Sequence, residues 1–249
     1  MSDETDSLVP ESLIGHLIEL RSRLLRAVIA LLLVFFALLP FANRLYSWLA
    51  KPLLKALPAG AHLVAIEVAS PFFTPIKLAF FAALMLAMPY LLYQAWAFVA
   101  PGLYRHEKRL ARPILAAAVA LFYLGCAFAY FLVLPMVFAF LNRVTPAGVT
   151  MMTDISQYLD FVLVLFVAFG ASFEVPVAVV ILVLLGLVTP AQLAQARGYV
   201  TVGIFILAAV ITPPDAISQL LLAIPMLLLY EIGLLAARMI TRTKPVPSA

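Results

Sequence analysis

Charge is what this chain has least of. Only 11% of its 249 residues are Asp, Glu, Lys or Arg, against roughly 25% in a soluble domain, while 65% are hydrophobic. A water-soluble fold of this size cannot cover so much apolar surface. Cysteine is nearly absent too. Cys126 stands alone inside an apolar run, so no intramolecular disulfide forms and cysteine usage carries no sign of redox compartment. The opening segment, MSDETDSLVPE, is acidic and lacks the basic region and short apolar core of a cleaved secretory signal, nor is it an Arg-rich transit peptide. Insertion through internal segments of a bacterial-type membrane is expected. The net charge of +4 is scattered between apolar segments, which suits membrane lipid and speaks against nucleic acid as a partner.

Catalytic motifs are missing in an instructive way. His106-Glu107-Lys108-Arg109 begins like the zinc motif HExxH, but Leu110 occupies the position of the second histidine, so no metal site is expected. Gly170-Ala171-Ser172-Phe173 resembles the surroundings of an intramembrane serine nucleophile. The three histidines, His16, His62 and His106, all lie outside the apolar segments, and the serine has no base. No GxxxxGK[ST] phosphate loop occurs, so no nucleotide is expected and energy must come from a gradient or a partner. No enzyme and no cofactor are expected.

What the chain has is long apolar runs. A transmembrane helix needs about 20 apolar residues to cross ~30 Å of hydrocarbon. Candidates fall at residues 24–41, 75–99, 113–141, 158–187, 199–212 and 216–236. The fifth is the weakest: Tyr199 to Ile211 reaches only ~20 Å before the TPPD turn. Arg21, Arg23, Arg26, Arg105, Lys108, Arg109, Arg112, Arg197, Arg238, Arg242 and Lys244 fall on one side, eleven of the sixteen basic residues. That side is expected to be cytoplasmic, with both termini inside. The expectation is an all-α, polytopic membrane fold. It forms a single membrane domain over 1–249, with a flexible N-terminus at 1–11, a six-helix bundle with a cytoplasmic amphipathic start over 12–236, and a cytoplasmic tail at 237–249. Pro89, Pro135, Pro176 and Pro225 each lie inside a span, where the missing N–H predicts a kink and, together, a concave wall. The roughly 33 residues between the first two spans are expected on the outer rim as an amphipathic helix followed by an extended stretch.

The polar residues inside apolar surroundings are few. Glu174 falls near the middle of the fourth span, where a carboxylate costs about 2.5–3.5 kcal/mol or more. It should face a cavity or be protonated; a neutral acid bonded to a freed carbonyl is the alternative. Asp215 reads as a helix N-cap, with Gln219 and Glu231 further along the same helix. In SLIGHLIELRSRLLR, Leu13, Leu17, Leu20 and Leu24 share one face and His16, Glu19 and Arg23 another. Glu19 and Arg23 also suit a solvated i,i+4 pair. Glu107 is the one acid among Arg105, Lys108 and Arg109, in a loop that read alone is a basic membrane anchor.

Five blocks resemble the TatC family in order from about residue 12 to 238: HLIELRSRLLR, VASPFFTPIKL, YQAWAFVAPGLYRHEKR, AFGASFEVPVA and ITPPDAISQLLLAIPMLLLYEIG. The resemblance implies a glove-like bundle of six kinked helices in the bacterial inner membrane. It implies the signal-peptide receptor of a translocase that exports folded proteins on the protonmotive force, with the single-span subunits TatA and TatB, and self-association in a larger complex. By resemblance, Glu19, Leu20, Arg21, Gln94, Phe98 and Glu107 read the twin-arginine motif, Glu174 is a polar residue inside the concavity, and Thr212, Gln219 and Glu231 belong to a docking surface for partner helices. Two guanidiniums need acidic, planar partners, which a few acids on a basic face supply. A secondary transporter built around Glu174 is disfavoured because the two halves of the chain show no matching segments.

Overall fold

The computed structural model describes residues 8–47, 63–99, 111–137 with 139, 153–211 and 216–242. Their contacts gather into two compact units, residues 1–57 with 67–103 and residues 58–66 with 104–249.

The first unit is a pair of long helices. Helix α1 (Leu8–Leu38) runs for 31 residues and passes through a 3-10 turn, Leu39–Phe41, into helical residues that end at Ser47. Its amphipathic start and the first span are therefore one continuous helix. Residues 12–38 contain no proline and are rich in Leu, with three Arg and three Ala, all strong helix formers, so nothing breaks the helix at the membrane surface. Helix α2 (Ser70–Val99) begins five residues before the expected 75, because Pro71 falls in the first turn, where its missing N–H costs nothing. The 3-10 turn packs on α2 and Phe35 meets Phe80 edge-on, ring centroids 5.7 Å apart. Leu17, Leu24, Leu33 and Phe36 remain exposed, a wholly apolar surface that suits lipid.

The second unit holds the other helices. Helix α3 (Ala111–Phe128) runs into a π-helical turn, Ala129–Val133. Strand β1 (Leu63–Val64) pairs in parallel with β2 (Thr153–Asp154), Leu63 opposite Thr153. Then come α4 (Ile155–Phe173), α5 (Val175–Leu184), the short α6 (Pro190–Gln195), α7 (Arg197–Ile211) and α8 (Ala216–Arg242). The core of this unit centres on Leu165, Phe169, Val133 and Val137. Phe128 lies against both Phe169 and Phe173, at 5.5 and 5.6 Å. Glycines set the close crossings. A Cβ on Gly125 of α3 would stand 2.6 Å from the Phe169 carbonyl oxygen, and one on Gly233 of α8 2.7 Å from Cα of Pro176.

The four prolines act unequally. Pro176 divides the fourth span at Glu174, separating α4 from α5. Pro135 follows the π turn, in which the Leu134 N–H bonds to the Ala129 carbonyl, as expected where a helix absorbs an interruption by widening. Pro89 and Pro225 lie inside unbroken helices. Five described helical stretches are long and apolar enough to cross a membrane, while α7, with 15 residues, is shorter. At 1.5 Å per residue it reaches about 22 Å, which agrees with its reading as the weakest span. The outer-rim helix expected between the first two spans falls largely outside the described residues. The extended stretch after it contains β1.

Candidate functional site

Glu19 sits on α1 one turn before Arg23, and the spacing makes an ion pair: Arg23 donates from Nε at 2.9 Å and from Nη2 at 2.5 Å to Glu19 Oε1. The Glu19 side chain keeps 35% exposure, so one carboxylate oxygen is committed while the group still faces solvent. Leu20 and Arg21 beside it are exposed. The Phe35–Phe80 contact fixes where the two helices of this unit meet. Glu19, Gln94 and Phe98 belong to the same compact unit. Gln94 is 5% exposed, and its Oε1 has no hydrogen-bond partner among the described residues, an enclosed acceptor that a donor would stabilise. Phe98 is half-buried. Glu107 and Thr212 lie outside the described residues.

Glu174 occupies the break between α4 and α5, with its backbone N–H on the Ala171 carbonyl at 3.1 Å. The side chain is half-buried and its Oε1 is enclosed without a partner among the described residues. A groove of about 560 Å³ runs beside it between α4, the start of α5 and α7, lined by Leu163, Val167, Ala171, Val175, Leu207 and Ile211 among others. Glu174 does not line it. Ser172 does, but donates its hydroxyl to the Ala168 carbonyl at 2.6 Å, which leaves the groove apolar.

Of the residues assigned to a docking surface, Gln219 and Glu231 are described, and both lie on α8. Gln219, near the start of α8, donates from Nε2 to the Phe205 carbonyl of α7 at 3.0 Å. Glu231 lies twelve residues on, about 18 Å along the helix, where it pairs with Arg197 at 2.7 Å. Next to it, the Tyr230 hydroxyl donates to the Leu193 carbonyl at 2.7 Å.

A further polar centre, unmarked by the sequence reading, is Asp154. Its buried carboxylate accepts the N–H groups of Ser156 at 2.8 Å and Gln157 at 3.1 Å as the N-cap of α4, and that of Ile66 at 2.9 Å. The Ile66 N–H, then that of Gln157, hold the carboxyl below its ordinary value of 3.8, and the opposing effect of burial is outweighed. The signal was legible: Asp154-Ile-Ser-Gln157 before an apolar run is a helix-start pattern. Thr189-Pro-Ala-Gln192 is another, and forms a capping box. Tyr230 and Arg197 carried no comparable signal, since their partners are far away in sequence.

A family model described as "Sec-independent protein translocase protein (TatC)" matches residues 15–225. The chain belongs to the TatC family. It is 54% identical over 249 residues to the TatC protein of Azotobacter chroococcum mcd 1, covering 100% of this chain and 98% of that one. It is 53% identical over 228 residues to that of Escherichia coli strain K12, covering 92% and 88%. A solved structure titled "Crystal Structure of Twin Arginine Translocase Receptor- TatC" superposes with a TM-score of 0.82 at 40% identity, covering 91% of this chain and 100% of that one. This TatC-family chain is a multi-pass membrane subunit of a bacterial twin-arginine translocase, a component of protein transport and not an enzyme.

Proposed function

We propose that the chain is the core subunit that receives twin-arginine signal peptides and assembles with TatA and TatB for protonmotive-force-driven export of folded proteins. It would work as a single membrane domain in the inner membrane, among lipid, with both termini cytoplasmic and with further copies of itself. The observation that supports the reading is a partly exposed Glu19 carboxylate on α1, in the same compact unit as the enclosed, unpartnered Gln94 acceptor on α2. Glu19 with Glu107 takes the two arginines, charge-assisted and geometrically selective for guanidinium. Gln94 offers an enclosed acceptor and Phe98 an apolar contact, while Leu20 and Arg21 flank the peptide. Because Arg23 already holds one oxygen of Glu19, binding there competes with an internal pair, and Glu107 carries the larger share. Glu174 acts as the intramembrane polar site, and Thr212, Gln219 and Glu231 belong to the helices that meet the partner subunits.

The test is capture of the detergent-solubilised protein on a twin-arginine signal peptide and on its double-lysine version, with photocrosslinking from position 107. Preferential capture by the arginine peptide with crosslinks from 107 is expected. Equal capture by both would overturn the receptor assignment.

A further inference from the structure

We propose that Arg197, Tyr230 and Glu231, with Gln219 at the other end, form a clamp that sets the depth of the short helix α7 along α8. The need for such a device follows from α7 itself. Its 15 residues reach about 22 Å, short of the ~30 Å of hydrocarbon, so matching to the bilayer does not fix its position. Packing does little more. Ala208 is the one buried residue of α7, and Tyr199, Val202, Ile206 and Val210 are exposed. With Ala208 alone buried and Val200 partly buried against the core, sliding and turning of α7 cost little contact energy.

The polar ties supply what packing omits, and each comes from α8. The Tyr230 hydroxyl holds Leu193, in the segment entering α7. Glu231 holds Arg197, the first residue of the helix. Gln219 holds the carbonyl of Phe205, eight residues further on. Two ties on α7, at Arg197 and Phe205, and a third on α6 just before it, at Leu193, fix both the translation and the rotation of α7. The ion pair is exposed at 48% and 42%, so its contribution is small and screened. Its role is register, and the hydrogen bond to Phe205, in apolar surroundings, is the stronger of the polar contacts. Thr201 adds an internal bond to the Arg197 carbonyl at 2.8 Å, which stiffens the turn that the clamp grips.

The experiment uses the full chain in nanodiscs, open to reagent on both faces, with Cys126→Ala and a single reporter, Tyr199→Cys or Val210→Cys, at either end of α7. A water-soluble maleimide reads the two labelling rates, and no signal peptide or partner helix is needed. Sliding raises one rate and lowers the other, whereas unfolding raises both. The double variant Tyr230→Phe/Glu231→Gln is expected to change the ratio of the rates by about threefold or more. The charge-exchanged pair Arg197→Glu/Glu231→Arg should return it to within about twofold of the starting protein. An unchanged ratio in the double variant, both rates rising together, or an exchanged pair no better than Glu231→Arg alone would overturn the clamp. Should the double variant fail to fold, Tyr230→Phe alone is read in the same way, and an unchanged ratio there overturns it as well.

Discussion

Asp154 accepts the backbone N–H of Ile66 at 2.9 Å across a sequence separation of 88 residues. The same carboxylate caps α4 through Ser156 and Gln157. One side chain therefore starts a membrane helix and pins the strand that precedes α2. Asp154→Ala is expected to speed proteolysis between residues 58 and 69 and to lower the unfolding temperature, because three backbone donors lose their acceptor. Limited proteolysis of the detergent-solubilised protein measures this, and an unchanged cleavage pattern would count against the pin.

The pH dependence of that pin has a definite sign. The folded carboxyl lies below its ordinary value of 3.8, so its stabilisation is fully present above 3.8 and is lost as pH falls through the folded value. The stability difference between the protein and Asp154→Asn should be constant from about pH 5 to 8 and shrink below about pH 4. Thermal unfolding of both across that range checks it. A difference that varies between pH 5 and 8 would point to another titrating group.

Glycine substitutions should split into two classes. At Gly125 and Gly233 an added methyl meets backbone atoms at 2.6 and 2.7 Å, so Gly125→Ala and Gly233→Ala force helices apart at a cost of about 1–3 kcal/mol. At Gly203 nothing lies within 4 Å, and Gly203→Ala should be neutral or stabilising by up to about 1 kcal/mol through helix propensity. Thermal stability in detergent distinguishes them; equal effects at all three would contradict the close crossings.

For signal-peptide recognition, Glu107→Gln should weaken binding of a twin-arginine peptide about ten- to a hundredfold, since a charge-assisted bond is worth about 1.5–3 kcal/mol. Glu19→Gln should cost less, because its carboxylate is already shared with Arg23. Both should narrow the preference for arginine over lysine peptides, and added salt should weaken the unaltered protein most. Binding titrations with both peptides decide the matter.

Orientation is testable apart from all of this. Reporter fusions after Gly60 and Ala147 should read as external, and those after Gly102 and Gln195 as internal, as the basic residues imply. A single reversed fusion would break the six-span arrangement.

Much of the helical architecture was legible in the sequence because the bilayer imposes a one-dimensional rule: about 20 apolar residues make a span. The family blocks, the shortness of the helix ending at Ile211 and the i,i+4 pairing of Glu19 with Arg23 could all be read along the chain. Local chemistry also announced the helix starts at Asp154 and Thr189. The tertiary structure decided what depends on distant partners. The fourth span divides at Glu174, before Pro176, while the helices around Pro89 and Pro225 stay unbroken, a difference that a proline in the sequence does not foretell. The ties of Tyr230 to Leu193, Glu231 to Arg197 and Asp154 to Ile66 join residues far apart in the chain. No spacing rule reaches across such separations, because hydrogen bonds and close helix crossings depend on distances in space that only the folded chain creates.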